Sequence, residues 1–399
     1  MLSRTKRFAV RAVARRPVYR LLPPGGLRTY AALKYLSENA SPEDVGRYVA
    51  ALRRVPVRPL ATAVFAARAL LRAGVDDALE ETLAALRRRH PGAAAVDVLY
   101  ADLHTFHGRY ETALEHAERA ARSAPSSTAA AARVVRLAYR VRPREQAEPA
   151  AVAAVRRFPL SAEALWPVAM HCDHPEQYRR VWAAWRDNAR EEDLPRVVRQ
   201  LTVAAARSGE VAAAAELYRR ALRLLRAGRR PVAGITRTRL GGLGARRAIE
   251  DLVQALDGAG IAFFFAAGTA LGLVREGRPL GADGDIDVGV FEADWDRQRL
   301  IDLFTRDPRF DLDLHPQTQK VGLRHRGGAP IDIFRFYREG DRIWHDGVFV
   351  RWHNSPFTVV RRDVGGRLLP LPADPDRYLT ENYGDWRTPN PDFDAFTDD

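Results

Sequence analysis

Small and apolar residues recur along the first half of the chain with a helical spacing that repeats every 34 residues. One copy carries Ala113, Ala117 and Ala120 between a turn at Gly108 and a stop at Pro125. Residues three or four apart share one helical face, glycine suits a turn, and proline ends a helix. Three further copies of this pattern are present: Leu79, Leu83 and Leu86; Ala147, Ala151 and Ala154; Ala214, Tyr218 and Ala221. A fixed period of this kind predicts a repeat protein.

The copies resemble the second helix of a tetratricopeptide repeat. We therefore expect residues 41–226 to form an all-α solenoid of stacked helix pairs with a groove. Two functions of the groove stay open: it binds a protein or a polymer, or it positions the other half of the chain. The motif His171-Cys172-Asp173-His174 falls where a repeat turn is expected. Its single thiol argues against a structural metal site there.

Charge is divided unevenly along the 399 residues, whose composition of 46% hydrophobic and 28% charged residues is typical of a globular protein. Residues 1–234 contain 41 Lys and Arg against 23 Asp and Glu, whereas the remainder contains 22 against 27. The basic part favours an anionic partner, such as an acidic glycan, lipid headgroups or another protein. It does not interleave basic and aromatic residues as nucleic-acid recognition motifs do, which argues against nucleic acid.

The start of the chain, residues 1–40, is a basic segment without the continuous apolar run of a secretory signal. No apolar stretch in the sequence is long enough to span a bilayer. Cys172 is the only cysteine, which excludes an internal disulfide and fits a reducing compartment. We therefore expect a cytoplasmic protein, with the basic segment either solvated or lying on the inner face of the membrane. Residues 227–244 are predicted to be a linker.

The second half of the chain changes to short apolar runs of strand length. Residues 261–265 predict a buried strand that runs into Gly268 and Thr269, after which residues 270–275 predict a helix. Glycine lets a ligand approach the backbone closely, and the threonine hydroxyl can cap the helix. The amides at such a helix start favour phosphate. Arg275, about two turns along, is predicted to reach the same anion.

Two aspartates alternate with apolar residues shortly afterwards. Asp285 and Asp287 are two positions apart on a predicted strand, so they share a face while Ile286 and Val288 point into the core. Two such carboxylates repel each other unless a cation lies between them, and oxygen ligands select Mg²⁺ or Mn²⁺. Asp332 lies in a later strand with the same pattern and is predicted to bring a third carboxylate to the site.

The order of these parts resembles the signature of the LicD-type and fukutin-related transferases. Residues 268–277 (Gly-Thr-Ala-Leu-Gly-Leu-Val-Arg-Glu-Gly) and residues 283–289 (Asp-Gly-Asp-Ile-Asp-Val-Gly) carry the resemblance. Tyr383-Gly384-Asp385 is similar to the C-terminal element of that family. The family usually has a tryptophan and an unbroken acidic run where this chain has Gly281-Ala282-Asp283-Gly284. The resemblance covers residues 245–399.

The resemblance implies a nucleotidyltransferase fold, α+β with a mixed sheet, for residues 245–399. It implies a transferase that moves a phosphate-linked group, of the phosphocholine or polyol-phosphate type, from a nucleotide diphospho donor, often CDP-linked. The acceptor would be a cell-surface glycan or its glycolipid precursor. The metal ligands and catalytic residues implied by the resemblance are Asp285, Asp287 and Asp332, with Asp332 alternatively taking the proton of the acceptor hydroxyl. The phosphate and donor contacts are Gly268, Thr269, Arg275 and Lys320.

Two other functions stay open at this point. In one, the repeats are a scaffold and the second half is a non-catalytic relative of the transferases, for which Gly284 in place of an acid is the supporting residue. In the other, the second half transfers a nucleotide to a protein that the repeats recruit.

Overall fold

The computed structural model describes residues 20, 22, 25–39, 42–52, 55–227, 242–281, 283–313, 319–347 and 351–390. Contacts divide the chain into two compact units, Met1–Ile235 and Thr236–Asp399. This division falls inside the predicted linker, of which residues 228–241 lie outside the described ranges, as do residues 1–19 of the basic segment. Across the described ranges, no helix has both the length and the apolar character needed to cross a membrane.

The first unit is helical throughout its described residues, apart from the turns. Its helices are α1 (Gly26–Asn39), α2 (Pro42–Ala51), α3 (Leu60–Ala73), α4 (Asp76–Arg89), α5 (Ala94–Phe106), α6 (Tyr110–Ser123), α7 (Thr128–Val141), α8 (Arg144–Arg157), α9 (Ala162–His171), α10 (Pro175–Arg186), α11 (Val198–Arg207) and α12 (Val211–Arg226). Helices α4, α6 and α8 begin 34 residues apart, as do α3, α5, α7 and α9. The all-helical prediction is confirmed, and the two interleaved series are compatible with tetratricopeptide-like helix pairs.

Equivalent positions of the repeats are buried, as the spacing predicts. Leu79, Ala113 and Ala147 are each 0% exposed. Helix α5 packs on α6, α6 on α7, and α7 on both α8 and α9, so each helix contacts its neighbours as in a repeat array. Gly74 and Gly108 hold φ angles of 77° and 69°, which strain other residues, and this explains why the pattern places glycine in the turns.

The motif at residues 171–174 is part of this helical packing. The Cys172 side chain is fully buried, and burial raises the pKa of its thiol to about 12, so the thiol stays protonated. Asp173 is paired with Arg144 at 2.6 Å. Among the described residues, the acidic and histidine side chains that converge on one point lie elsewhere, in the second unit. The structure therefore favours a packed repeat turn at this motif over a metal site.

The second unit combines four helices with two sheets. Its elements are α13 (Gly242–Gly258), β1 (Phe264–Phe265), α14 (Ala267–Glu276), β2 (Ile286–Phe291), α15 (Arg297–Arg306), β3 (Phe310–Asp313), β4 (Lys320–His325), β5 (Pro330–Glu339), β6 (Arg342–Asp346), β7 (Arg351–Asn354), β8 (Val359–Asp363), β9 (Leu368–Pro372) and α16 (Pro375–Tyr383). The main sheet has the order β1-β2-β5-β4-β3, and β6 joins β5 to β7. Strands β2 and β5 are parallel, whereas the other pairs are antiparallel. The predicted α+β fold with a mixed sheet is confirmed.

Helix α13 begins earlier than the sequence predicts. Gly242 and Gly244, assigned to the linker, belong to its first turn. The glycines indicated a flexible segment, but the apolar face that follows extends the helix backwards, since Ile249, Leu252 and Leu256 are buried along it. Tertiary burial of this face outweighs the weak helix propensity of glycine.

The short strand β1 packs closely on β2. Phe264 is fully buried, with its ring 4.9 Å from the ring of Phe336 and 5.2 Å from that of Phe357. A Cβ atom at Gly289 would lie 2.3 Å from the Phe264 ring, so only glycine leaves room for the phenylalanine. This contact places the end of β1, and hence the start of α14, against the strand that carries the aspartates.

Candidate metal and phosphate site

Strands β2 and β5 bring two aspartates side by side. They are parallel neighbours in which Asp287 is the register partner of Asp332. Ile286 and Val288 are both 0% exposed, as the predicted alternation requires. Because register partners on adjacent strands point to the same face, Asp287 and Asp332 lie on one face of the sheet.

Three aspartates converge at the start of β2. Asp283, Asp285 and Asp287 each offer a carboxylate oxygen, and these oxygens lie within 4.8 Å of one another. Asp283 was not among the predicted ligands, although the spacing of two that joins Asp285 to Asp287 also joins Asp283 to Asp285. Asp332, a predicted ligand, is outside this group of three.

The electrostatics of this triad fit a divalent cation. Burial raises the pKa of Asp287 well above its ordinary value, and the charges of Asp285, Asp283 and Asp332 raise it further. Burial also raises the pKa of Asp283, whose Oδ2 is buried without a hydrogen bond. A buried, unpartnered carboxylate oxygen among repelling carboxylates is costly unless a cation binds it. The donor set consists of oxygen atoms only, which suits Mg²⁺ or Mn²⁺.

The residue in place of the family's usual acid has a local role here. The amide of Gly284 donates a hydrogen bond of 2.9 Å to Oδ1 of Asp283, which turns the other oxygen of that carboxylate away from the backbone donor. The departure from the family pattern thus leaves three aspartates converging, with one of them oriented by its neighbour's amide.

Asp332 and Lys320 form an ion pair beside the triad. The Lys320 ammonium group bonds Oδ2 of Asp332, and it also lies 5.1 Å from the centre of the Phe334 ring. Both charged side chains are partly buried. The sequence assigned Asp332 to the metal and Lys320 to the donor, and the structure brings the two together in one pair.

Thr269 connects α14 to the aspartate strand. Its side chain is 1% exposed, and its Oγ1 accepts a 2.9 Å hydrogen bond from the amide of Asp287. The amide of Ala266 donates in turn to the Asp287 carbonyl at 3.0 Å. The predicted helix cap therefore acts across elements, because it holds the backbone of Asp287 against the start of α14.

Gly268 leaves space for a carboxylate. A Cβ atom at this position would lie 2.6 Å from Oδ2 of Asp283, which is far closer than such atoms can approach. The glycine in the predicted phosphate turn is therefore required by the third aspartate. It places the start of α14 in direct contact with the triad.

The amides at the start of α14 are available to an anion only in part. The amide of Ala267 donates to the Tyr378 hydroxyl at 3.1 Å, and Ala267 holds a left-handed φ of 44°, a strained conformation for alanine. The following amides, of Gly268 and Thr269, lie in the first turn and have no acceptor within the helix. These two amides suit a phosphate oxygen, although the adjacent carboxylates would repel it without a cation.

Arg275 holds α14 to the C-terminal end of the unit. Its Nη1 donates to the Trp386 carbonyl at 3.1 Å, its Nη2 lies 3.5 Å from Glu276, and its Nε is buried without a hydrogen bond. The sequence assigned Arg275 to the phosphate. In the structure its guanidinium group supports the segment that follows α16.

Two tyrosines of α16 complete the surroundings of the triad. Burial raises the pKa of Tyr378 and of Tyr383, and the three aspartate charges of the triad add to the shift of Tyr383. Both hydroxyls therefore stay protonated. Sequence reasoning treated Tyr383 as a packing residue, and the Tyr-Gly-Asp element was the signal that could have linked it to the site.

Replacing Thr269 by valine is expected to destabilise the second unit by about 1–3 kcal/mol, because the buried amide of Asp287 then loses its acceptor. Valine keeps the shape of threonine, so the change isolates the hydrogen bond. The measurement is the free energy of unfolding in denaturant. Thr269→Ser keeps the hydroxyl and serves as the control. Equal stability of the two variants would contradict the role assigned to this hydroxyl.

The stability of the metal-free protein is expected to fall as the pH rises above about 4. The raised pKa of Asp287 means that the folded carboxyl keeps its proton in a pH range where the unfolded carboxyl has released it. Stability is therefore lost from the unfolded pKa upward through the folded pKa. Mn²⁺ binds the ionised form, so the increase in Tm that it causes should be larger at about pH 8 than at about pH 5. Asp287→Asn should remove this difference, and an equal increase at both pH values would oppose the interpretation.

Comparison with known proteins places the site in a family context. Residues 260–374 match the family model described as "LicD/FKTN/FKRP, nucleotidyltransferase domain". Similar curated proteins include the ribitol-5-phosphate transferase FKTN of Macaca fascicularis, 24% identical over 36% of this chain and 34% of that protein. The proteins of the same name from Mus musculus and Homo sapiens are 24% and 23% identical, over 36% of this chain and 33% and 34% of their own lengths. The chain thus spans about a third of the length of these relatives.

Proposed function

We propose that this chain, whose residues 260–374 carry a nucleotidyltransferase domain of the LicD/FKTN/FKRP type, is a metal-dependent phosphotransferase. The observation that carries the proposal is the convergence of Asp283, Asp285 and Asp287 beside the start of α14. A cation ligand set next to helix amides suits a substrate with adjacent phosphates. The domain match and the fukutin relatives support the same class of enzyme.

Each residue of the site then has a chemical task. Asp283, Asp285 and Asp287 would hold Mg²⁺ or Mn²⁺, which supplies positive charge that stabilises a leaving nucleotide. The amides of Gly268 and Thr269 bind a phosphate oxygen of the donor. Asp332 takes the proton from the acceptor hydroxyl, and the Lys320 ammonium group fixes the position of that carboxylate. In this proposal Arg275 acts on the phosphates by holding α14 in place.

The reaction we propose is an attack of the acceptor oxygen on the phosphorus atom that bears the transferred group. A new oxygen–phosphorus bond forms, the bond to the nucleotide breaks, and a nucleoside monophosphate leaves. A CDP-linked donor of the polyol-phosphate or phosphocholine type fits this reaction, and relatives named as ribitol-5-phosphate transferases support the polyol type. The acceptor is a glycan or a glycolipid precursor, modified on the cytoplasmic side.

The basic first unit supports an anionic acceptor or partner. Residues 1–234 carry 41 Lys and Arg against 23 Asp and Glu, whereas the rest of the chain has an acidic excess. Such a field attracts polyanions and weakens with salt. Affinity of the first unit for an acidic glycan should therefore decrease as the salt concentration increases.

The experiment is a donor screen with the full chain. CDP-ribitol, CDP-glycerol and CDP-choline are each incubated with a glycan acceptor, with and without Mg²⁺, and the release of CMP is measured. We expect release with one donor, only when the cation is present. Failure of every donor to bind in calorimetry, with or without Mg²⁺, would support the non-catalytic scaffold instead. Label from the α-phosphate of a nucleotide on a protein would support protein nucleotidylation.

A further inference from the structure

A row of aromatic rings begins beside the ion pair of Lys320 and Asp332. Phe334 lies two positions after Asp332 on β5, so it shares the face of the sheet that carries the acidic site. The Lys320 ammonium group contacts both side chains, because it bonds the Asp332 carboxylate and lies 5.1 Å from the centre of the Phe334 ring. The Phe334 ring is thus the first apolar surface next to the charged site.

The row continues across β6 and β7. The His345 ring lies 5.5 Å from the Phe334 ring and 4.2 Å from the Phe336 ring, on which it stacks. His345 is the register partner of Trp352, and their rings stack at 5.1 Å with an angle of 21°. Phe334 and Trp352 are each partly exposed. The rings form a continuous aromatic wall that leads away from the acidic site.

His345 adds a polar atom to this wall. Its side chain is only 5% exposed, and its Nδ1 is buried without a hydrogen-bond partner among the described residues. Burial lowers the pKa of the imidazole to about 4, so the ring is neutral near pH 7. A buried nitrogen without a partner costs stability unless a ligand or a water molecule bonds it.

We propose that the wall of Phe334, His345 and Trp352 binds the heterocyclic base of the nucleotide donor, with the base stacked on an aromatic ring and its polar edge bonded to Nδ1 of His345. This inference rests on the proposed function, since it assigns the base of the same donor whose phosphates lie at the triad. Planar, neutral heterocycles stack on aromatic side chains with substantial affinity.

The charges around the wall favour a base over the other part of such a donor. A cationic group such as choline is also attracted to aromatic rings. The inner end of the wall carries the Lys320 ammonium group, which repels a cation. The wall itself contains two apolar rings and one neutral imidazole, with no carboxylate among its members. A neutral base with hydrogen-bonding edges matches that surface better.

The test compares two ligands that differ by the nucleoside. Calorimetry in Mg²⁺ measures the affinity of the full chain for CDP and for inorganic pyrophosphate. Trp352→Ala is expected to weaken CDP binding by about tenfold or more, the scale measured for loss of one base-stacking ring. The affinity for pyrophosphate should not change. Trp352→Phe keeps an aromatic face and should retain most of the CDP affinity, which guards against a general loss of structure.

Trp344→Ala is the matched control. Trp344 precedes His345 on β6, so it lies on the opposite face, where it stacks on Tyr337 at 4.1 Å and packs under Arg351 at 3.8 Å. Its removal should leave CDP binding unchanged. Unchanged CDP affinity in Trp352→Ala would overturn the inference. So would equal weakening of CDP and pyrophosphate, or weakening of phosphocholine binding with CDP unaffected.

The two proposals fail in different ways. Asp285→Asn should remove the dependence of both ligands on Mg²⁺, because it alters the triad and leaves the wall intact. If Trp352→Ala has no effect while Asp285→Asn abolishes Mg²⁺-dependent binding, the wall is wrong and the phosphotransferase site stands. If neither ligand depends on Mg²⁺ in the unmodified protein, the phosphotransferase site itself is wrong.

Discussion

Replacing Asp285 and Asp287 together by asparagine is expected to reduce transfer by about a thousandfold or more, the scale on which loss of transition-state charge stabilisation acts. Asparagine keeps the shape of aspartate and removes its charge. The triad would then retain one carboxylate, Asp283, which is insufficient to hold a divalent cation tightly. CMP release from the donor identified in the screen is the measurement.

The same variant should fold at least as well as the unmodified protein. Neutral amides remove the repulsion that raises the pKa of Asp287, so the Tm of the metal-free protein should not fall. Asp294→Asn is the matched control, because Asp294 is an exposed carboxylate that follows the same strand. If the double variant still turns over the donor at the rate of this control, the assignment of the triad fails.

Substitution of Gly268 by alanine is expected to weaken Mn²⁺ binding by roughly 10–100-fold, as changes next to metal ligands commonly do. The added Cβ would lie 2.6 Å from Oδ2 of Asp283. The carboxylate is the movable end of a side chain, so it shifts and the backbone of α14 stays in place. The fold is therefore retained while the ligand set is distorted, and transfer falls with the metal affinity.

Gly281→Ala provides the control for this change. Gly281 belongs to the segment between α14 and β2, and a Cβ atom there meets no atom within 4 Å. The alanine at 281 should bind Mn²⁺ as the unmodified chain does. Titration of Mn²⁺ followed by its paramagnetic resonance signal compares the two variants directly. Equal affinity in both would show that Asp283 is not a ligand.

Local patterns predicted much of this molecule because they are set by short-range geometry. The period of 34 residues is visible in the helix starts, and the buried face at Ala113 and Ala117 follows from the helical repeat. Strand alternation likewise places Ile286 and Val288 in the core and their aspartate neighbours on the other face. Asp283 could have been found by the same rule, extended by two positions.

Other features depend on contacts between distant parts of the chain, which no local pattern contains. The partner of Arg275 is the Trp386 carbonyl, 111 positions away. The Lys320–Asp332 pair depends on the register of β4 against β5, in which Gly322 is opposite Asp332. Register is fixed by burial over the whole sheet, so the sequence could place these charges on strands but could not pair them.

The aromatic wall illustrates the same limit at the level of function. His345 and Trp352 are ordinary strand residues in the sequence, and neither spacing nor composition singles them out. They become a candidate surface only because β6 and β7 extend the sheet beyond β5 and align their rings with Phe334. A ligand surface assembled from three strands therefore appears first in the structure.

The account depends most on the claim that the triad holds a divalent cation together with the phosphates of a nucleotide. Crystals of the full chain grown with Mn²⁺ and CDP would test it through the anomalous scattering of manganese. We predict an anomalous peak bonded to carboxylate oxygens of Asp283, Asp285 and Asp287, with the CDP phosphates contacting the same ion. CDP bound at the domain with no manganese at these carboxylates, or manganese and CDP bound at separate places, would contradict the account.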